Sequence, residues 1–281
     1  MHAQGRHWTL AALVPALALI AACSGYDSPT YPGTTTPPPA PAVRLKEVVI
    51  DRLPSPFYHF DYDGTGRIIG ASYASGLDNY QVDYQGDRIK EIRNVGISNL
   101  DHIVYAYDVD GRVGGVRYVD ASGVTFTVVV YTYTGGKLTG VERSRRAPDG
   151  LVIDKTMAFT YYADGNLETI TEHRLPVAGL QDDATDVTRF EQYDTGTNVD
   201  GFSLIHDDFF DHLVLLPGIV LQKNNPKRET RMGDGLTYSV DYTYTYDADG
   251  KRPLTKRGDL VITGGGTVGM HVPTSSVFTY Y

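Results

Sequence analysis

Cysteine, tryptophan and methionine are scarce in this chain of 281 residues, with one, one and four copies respectively. A single cysteine excludes internal disulfides and any cysteine-rich metal cluster. Basic residues are also in deficit, since 25 Lys and Arg stand against 34 Asp and Glu, and the formal charge of -9 argues against nucleic acid as a partner. With 41% hydrophobic and 21% charged residues, the composition fits neither a disordered tail nor a membrane bundle.

Tyrosine and glycine, in contrast, are abundant, with 21 and 30 copies. Tyrosine favours β-strands, and glycine favours the tight turns that join them. The composition therefore predicts a β-rich protein, with enough apolar material for one large domain or two ordinary ones.

The N-terminus has the layout of an export signal. A basic start at Arg6 precedes an apolar run over residues 8–22, which is short for a permanent membrane span. The run ends in the letters IAAC, which resemble the bacterial lipoprotein signal, where a peptidase cleaves before a cysteine that accepts diacylglycerol. The resemblance implies removal of residues 1–22 and lipidation of Cys23; the alternative is an ordinary secretory peptide with an incidental thiol.

The residue after the cysteine bears on the destination of the protein. Ser24 stands where an inner-membrane retention signal usually has Asp, so the resemblance points to the outer membrane or cell surface. Residues 23–42 are rich in Pro, Thr and Gly without apolar periodicity, and this composition predicts an extended tether.

A degenerate repeat organises residues 43–281, which we interpret as a single domain. Each copy has alternating aromatic residues, an Asp or Gly turn, a polar residue and two aliphatic residues three apart. The clearest copies are YHFDYDGTGRII (58–69), YQVDYQGDRIKEI (80–92), YAYDVDGRVGGV (105–116), YTYTGGKLTGV (131–141), FTYYADGNLETI (159–170) and YTYTYDADGKRPL (242–254). Asp-Gly and Gly-Gly turns between alternating runs predict β-hairpins, and hence an antiparallel up-and-down meander.

The aliphatic pairs after the turns, such as Ile89 with Ile92 and Leu138 with Val141, have odd spacing. Odd spacing places two residues on opposite faces of a regular strand. We therefore expect either a β-bulge that restores one buried face or partial burial of both faces.

One segment, residues 202–216, has a different period. Phe202, Ile205, Phe209 and Leu213 recur at helical spacing, and Pro217-Gly218 provides a stop. This pattern predicts one accessory amphipathic α-helix, laid against the sheet or across an open barrel end.

The repeat resembles the tyrosine-aspartate (YD, or RHS-like) repeat of large bacterial surface and toxin-shell proteins. The motif is carried most clearly by Tyr105, Tyr107, Asp110, Gly111 and Arg112. Residues 43–281 as a whole are similar to a family of uncharacterised bacterial lipoproteins with a porin-like antiparallel barrel. The resemblance implies an all-β fold, closed into a porin-like barrel or strongly curled, but no established activity.

A porin-like shape does not by itself require insertion into lipid. The strand around Lys137, Glu142, Arg143 and Arg145 carries charge on both faces, whereas a membrane barrel needs an uncharged outer band. We therefore expect a wall that faces water, with membrane contact through the N-terminal lipid only.

Three groups of residues could carry chemistry. His206, Asp207, Asp208, Asp211 and His212 are dense enough to hold a metal, but the polar face of an amphipathic helix explains them better, because no second ligand group at metal spacing is present elsewhere, and we predict no metal site. The Asp-x-Asp-Gly runs at 108–111 and 247–250 resemble the start of a calcium loop, but they lack its later Glu and are better explained as hairpin turns. No Gly-x-Ser-x-Gly nucleophile motif is present, and we predict neither a catalytic residue nor a cofactor.

The repeated tyrosines allow a binding hypothesis. Rows of tyrosine on a curled sheet could stack on sugar rings, although cross-strand packing in a core explains them more simply. The candidate ligand-binding residues are Tyr105, Tyr107, Tyr131, Tyr133, Tyr242 and Tyr244. Burial distinguishes the two interpretations, because fully enclosed rings cannot stack on a ligand.

These observations together predict a non-catalytic, lipid-anchored envelope protein with a structural or ligand-capturing role, whose partner is a glycan or another envelope protein. Two alternatives remain. An envelope polysaccharide hydrolase would need two carboxyls in one cleft, about 5 to 10 Å apart. A protein-interaction module would use an exposed sheet edge or the surface of the repeats.

Overall fold

The structure is a computed structural model that describes residues 44–96, 100–179, 181–206, 213–265 and 267–281. Cys23 and the signal and tether segments lie outside the described residues. Within them the chain forms sixteen β-strands and two short 3-10 turns, Ala74–Gly76 and Gly201–Ile205. The strands are β1 Leu45–Ile50, β2 Tyr58–Tyr62, β3 Ile68–Tyr73, β4 Asp78–Gln85, β5 Arg88–Asn94, β6 His102–Tyr107, β7 Val113–Val119, β8 Thr125–Thr134, β9 Lys137–Ala147, β10 Gly150–Tyr161, β11 Leu167–Arg174, β12 Ala184–Glu191, β13 Arg228–Gly233, β14 Tyr238–Tyr246, β15 Pro253–Ile262 and β16 His271–Tyr280.

The strands form an up-and-down meander that closes on itself. Each strand pairs antiparallel with the one before it, and β1 pairs with β16 in a register that sets Leu45 opposite Tyr280 and Ile50 opposite Ser276. This closure confirms the predicted all-β antiparallel barrel and rules out the open curled sheet. Because a closed barrel has no free edge, the edge-pairing form of the interaction hypothesis is excluded for the described strands.

A β-bulge follows the turn in each of the six repeat hairpins. In the β6–β7 hairpin, for example, Ala106 pairs with Gly115 and Tyr107 with Val113, so Gly114 has no partner. The extra residue returns both members of each aliphatic pair to one face; Ile89 and Ile92 are each 1% exposed. The bulge interpretation is therefore confirmed. The unpaired residues are Ile69, Lys90, Gly114, Thr139, Glu168 and Leu254.

An aspartate holds the turn in four of the six repeats. Asp108 Oδ1 accepts hydrogen bonds from the N–H groups of Asp110 and Arg112 at 2.9 and 2.8 Å, and Asp108 Oδ2 accepts one from Arg112 Nε at 2.8 Å. Gly111 supplies the positive φ of 81° that the reversal needs. Asp247 is engaged in the same way by Lys251 and Arg252. These contacts support the turn interpretation over a calcium loop, since the carboxylates already have their partners.

The two ends of the barrel differ. The end that carries the repeat turns, after Tyr62, Tyr84, Tyr107, Tyr133, Tyr161 and Tyr246, is called the tyrosine rim below, and the opposite end is called the far rim. Both described chain ends lie at the tyrosine rim, where the Tyr281 N–H donates to the Arg44 carbonyl at 3.0 Å.

The described parts of residues 192–227, namely 192–206 and 213–227, are called the lumenal segment and lie inside the barrel. They contact strands spread around the whole wall, which is possible only from the lumen. The Tyr193 hydroxyl donates to Leu167 O of β11, Asp200 pairs with Lys256 of β15, Phe202 packs on Tyr58 and Phe60 of β2, and the Leu215 N–H donates to Tyr105 of β6. The lumen is therefore filled at this level.

The predicted helix over residues 202–216 is wrong where it can be checked. Residues 201–205 form a short 3-10 turn and residues 213–216 have no regular secondary structure, while residues 207–212 lie outside the described residues. The physical reason is that the apolar side chains are buried against several walls of a lumen, so they need not share one helical stripe. Among the described residues, no helix has the length and apolar character of a membrane span.

Candidate functional site

The tyrosine next to each repeat turn forms part of a ladder that links neighbouring hairpins. Except at Tyr246, whose hydroxyl donates to Asp194 Oδ2, each of these hydroxyls donates to a backbone carbonyl of an earlier strand. Tyr107 bonds Ile89 O, and Tyr133 bonds Val113 O, each at 2.8 Å. Corresponding bonds of 2.6 to 2.8 Å are made by Tyr62, Tyr84, Tyr161, Tyr193 and Tyr280. Two of the predicted ligand-binding residues, Tyr107 and Tyr133, therefore have their hydroxyls engaged within the wall.

A cation from the preceding turn covers these rings. The guanidinium carbon of Arg88 lies 5.0 Å from the centroid of Tyr107, and that of Arg112 lies 4.7 Å from Tyr133. Arg67 covers Tyr84 and Lys137 covers Tyr161 in the same manner. Such cation–π contacts account for the basic residue of the repeat, because it packs on the tyrosine of the next hairpin.

Tyr105 and Tyr131 lie deep in the lumen. They are 8% and 7% exposed, so the wall and the lumenal segment cover their rings. Burial raises the pKa of Tyr105 well above its usual value, although the N–H donated by Leu215 opposes this. Neither ring has a face open to a sugar, and by the burial criterion these two residues behave as core.

Tyr242 and Tyr244 are half-buried on the inner face of β14. The Tyr242 hydroxyl donates to Glu229 Oε2 at 3.1 Å, and Lys256 Nζ lies 4.4 Å from its ring centroid. Lys256 also pairs with Asp200 of the lumenal segment at 3.1 Å. Burial would lower the pKa of Lys256, but the charge of Asp200 raises it overall, so the amine stays protonated. The structure thus brings Tyr242 together with a charged cluster inside the barrel.

A larger charged cluster, called the arginine cluster, lies on the inner wall of β9–β13 near the far rim. Its centre is the pair of Arg143 and Asp154, each 2% exposed, in which Arg143 Nε donates to Asp154 Oδ1 at 3.1 Å and Arg143 Nη2 to Oδ2 at 2.7 Å. Arg145 Nε lies 3.2 Å from the same Asp154 Oδ2. Lys155, also buried, stands directly opposite Arg143 in the strand register.

The other half of the arginine cluster surrounds Asp186. Its Oδ2 accepts hydrogen bonds from Arg174 Nη2 at 2.8 Å and Arg231 Nη2 at 3.0 Å, and its Oδ1 accepts one from the Gly235 N–H at 2.9 Å. Burial alone would raise the pKa of Asp186, but the Gly235 N–H and the positive charge of Arg231 lower it below its usual value. Glu172 lies opposite Asp186 in register, with Oε1 3.5 Å from Arg174 Nε.

The sequence analysis does not find this cluster, because it places Arg143 and Arg145 on one face of the strand and Glu142 on the other without deciding which face is buried. The structure turns the two arginines inward with Val141, and only Glu142 and Arg146 of that stretch are exposed. The sequence signal that could have found them is their spacing. After the bulge at Thr139, Arg143 and Arg145 follow the buried Val141 at intervals of two residues, which places all three on the inner face. The arginine cluster also bears on the hydrolase hypothesis, because Glu172 and Asp186 are adjacent carboxylates. Both are buried beside arginine, however. The pKa of Asp186 is lowered, whereas a general acid needs a raised pKa.

The histidines of the strands are paired on the outer wall. His59 lies 3.2 Å from Glu47, His102 3.4 Å from Glu91, His173 2.8 Å from Asp183 and His271 2.6 Å from Asp259. His206 is buried beside the rings of Tyr58 and Tyr73. The other members of the predicted metal cluster, in residues 207–212, lie outside the described residues. In the part of the chain that the structure describes, no three His, Cys, Asp or Glu side chains converge on a metal position.

A cavity of about 210 Å³ lies within the lumenal segment, away from the arginine cluster. Apolar side chains, including Phe202, Ile205 and Leu216, form most of its wall, and the amides of Asn198 and Gln222 lie at its edge. It is smaller than the 300 to 1,000 Å³ that is usual for a ligand pocket.

The fold is that of a porin-like antiparallel barrel. The structure superposes on a porin-like protein from Bacteroides uniformis with a TM-score of 0.56 and 13% identity, covering 85% of this chain and 95% of that one. A porin-like protein from Bacteroides vulgatus gives a TM-score of 0.56 and 16% identity over 84% of this chain and 98% of that one. No family model and no curated protein matches the sequence. At these identities the likeness establishes the architecture alone.

Proposed function

We propose that this protein is a lipid-anchored envelope protein of the outer membrane or cell surface, without catalytic activity, whose filled barrel serves as a rigid body for a structural or ligand-capturing role. The observation that carries the proposal is the lumenal segment, which contacts opposite walls of the barrel and occupies the space that an open pore would need. The barrel of the Bacteroides porin-like proteins provides an envelope precedent for the shape.

The outer wall supports the same proposal, because it carries charge pairs across neighbouring strands. Asp83 lies 2.6 Å from Arg93, Asp259 lies 2.6 Å from His271, and Arg228 lies 3.3 Å from Asp241. A barrel embedded in lipid presents an uncharged outer band about 25 Å tall. Charged side chains on strands β4–β5 and β13–β16 favour a wall that faces water, with the membrane reached through the lipid on Cys23.

The anchor can be tested by metabolic labelling. We expect cells fed with labelled palmitate to incorporate the label into the wild-type protein and not into Cys23→Ser, and we expect the wild type to fractionate with the outer membrane. Ser24→Asp provides the matched control, because it should keep the label and move the protein toward the inner membrane. Equal labelling of wild type and Cys23→Ser would overturn the anchored part of the proposal.

The filled lumen can be tested independently of the anchor. Full-length protein in detergent, added to a planar bilayer, is expected to give no stepwise conductance, since the described parts of the lumenal segment contact strands on several sides of the wall. Reproducible single-channel steps would show that the barrel is an open pore and would contradict the proposal.

Capture of a glycan is the binding role that we propose for this body, and a glycan array probed with the full-length protein is its direct test. The half-buried rings of Tyr242 and Tyr244 and the charged groups beside them are the inner-wall residues that support it. Absence of binding to every glycan would leave a structural role as the function.

A further inference from the structure

The arginine cluster contains more basic groups than carboxylates. Its basic members are Arg143, Arg145, Lys155, Arg174 and Arg231, and its acidic members are Asp154, Glu172 and Asp186. The excess of two positive charges stands on the inner wall of a chain whose formal charge is -9. Including the deeper group of Lys256, Asp200 and Glu229 reduces the excess to one but does not reverse it.

The cations are also placed unusually close to one another. Lys155 pairs in register with Arg143 on one side and with Arg174 on the other, so three basic side chains form a row across β9, β10 and β11. Like charges directly opposite each other destabilise a sheet. Asp154 bonds Arg143, and Glu172 and Asp186 lie beside Arg174, yet the row retains more positive than negative charge.

One donor in the cluster is unsatisfied among the described residues. Arg174 Nε is buried and has no hydrogen-bond partner, although Glu172 Oε1 lies 3.5 Å away as an ion-pair neighbour. A buried donor without a partner destabilises the fold, and a ligand oxygen within its reach would remove that cost.

The cluster can be reached from the far rim. Arg145 and Arg174 side chains are 38% and 34% exposed, whereas Arg143 and Asp154 behind them are enclosed. Asp154 and Asp186 hold the exposed guanidiniums in position, as in sites where arginine binds an anion in a fixed geometry. The far rim is the end of the barrel opposite the one where Arg44 enters β1.

We propose that the arginine cluster binds an oxyanion, namely a phosphate, sulfate or carboxylate group of the kind that acidic envelope glycans carry. This inference rests on the proposed capture function and specifies its ligand class. The exposed Arg145 and Arg174 make the first contact, and the excess positive charge of the row supplies the attraction.

The test uses full-length protein in detergent, titrated calorimetrically with dextran sulfate, with neutral dextran and with inorganic sulfate. We expect dextran sulfate to bind and neutral dextran not to bind. Binding of inorganic sulfate as tightly, per sulfate group, as dextran sulfate would support the site and identify a free anion as the ligand. Absence of binding by both anions, together with no rise in the melting temperature when sulfate replaces chloride at equal ionic strength, would overturn the proposal.

A matched pair of variants locates the site. Arg145→Gln and Arg146→Gln remove the same charge from adjacent residues, but Arg145 lies in the cluster and Arg146 is exposed on the outer wall. We expect Arg145→Gln to weaken dextran sulfate binding about tenfold and Arg146→Gln to change it less than about twofold. Equal losses in the two variants would place binding elsewhere and contradict the proposal.

Two controls keep the result interpretable. Circular dichroism and thermal melting establish that Arg145→Gln is folded, and Arg174→Lys, which keeps the charge but loses the planar donor set, provides a second variant with an expected loss of affinity. The glycan array reports on capture separately, because binding of neutral glycans without binding of dextran sulfate would contradict the anion site and leave the capture function standing.

Discussion

The hydroxyl of Tyr105 accepts a hydrogen bond from the backbone N–H of Leu215 at 2.9 Å, although the two residues are 110 positions apart. Tyr105 belongs to the wall and Leu215 to the segment inside it. This contact, with those of Phe202 and Asp200 to other strands, means that the barrel and its contents form one packed unit. Removal of lumenal side chains is therefore expected to destabilise the whole barrel.

Leu221 and Val220 test this coupling, because they are adjacent in the lumenal segment but 5% and 61% exposed. Leu221→Ala creates a cavity and should lower the free energy of unfolding by about 2 to 5 kcal/mol. Val220→Ala should change it by less than about 0.5 kcal/mol. Urea denaturation followed by circular dichroism measures both, and similar small changes would show that the segment does not support the barrel.

The tyrosine ladder predicts a modest and specific loss on removing one hydroxyl. Tyr107→Phe leaves the ring and its Arg88 contact in place but removes the 2.8 Å hydrogen bond to Ile89 O, at an expected cost of about 1 kcal/mol in stability. Tyr281→Phe is the control, since its hydroxyl makes a longer 3.2 Å contact from an exposed position. A larger loss in Tyr281→Phe than in Tyr107→Phe would contradict the ladder as a source of stability.

Arg143 inside the barrel and Arg146 on its outer wall allow the effect of an internal and an external arginine on stability to be compared. Arg143→Met leaves Asp154 buried with only part of its compensation, and such a change is expected to cost about 3 kcal/mol or more. Arg146→Met, on the outer wall, should lie within about 0.5 kcal/mol of wild type. Chemical denaturation of the two variants side by side provides the measurement, and equal stability would show that the Arg143–Asp154 pair is dispensable.

Alkaline pH should unfold the barrel through its tyrosines. Burial raises the pKa of Tyr84 and Tyr161 to about 12, above the value of about 10 in an unfolded chain. The fold thus favours the neutral phenol, so this contribution to stability is fully present below about pH 10 and is lost as the pH rises from there through about 12. We expect the tyrosinate absorbance to appear together with loss of the β circular dichroism signal; full ionisation while the barrel stays folded would contradict the burial of these hydroxyls.

The local sequence pattern was sufficient to predict much of the barrel wall. The period of two, the Asp-Gly turns and the odd spacing of pairs such as Ile89 and Ile92 predicted the strands, the hairpins and the bulges, because each depends on residues within about a dozen positions. Helical spacing at 202–216 failed for a related reason. Inside a closed wall, apolar side chains are buried in every direction, and burial then no longer requires a single stripe.

The sequence alone determined that the chain is a run of antiparallel hairpins, because turn chemistry and strand alternation are encoded between near neighbours. Only the tertiary structure decided that β1 meets β16, which charged side chains point inward, and that the described parts of residues 192–227 occupy the lumen. Those outcomes depend on contacts between residues far apart in the chain, such as those of Arg174 and Arg231 with Asp186. They also depend on the β-bulges, because one extra residue in a strand reverses which face of the wall the following side chains point to.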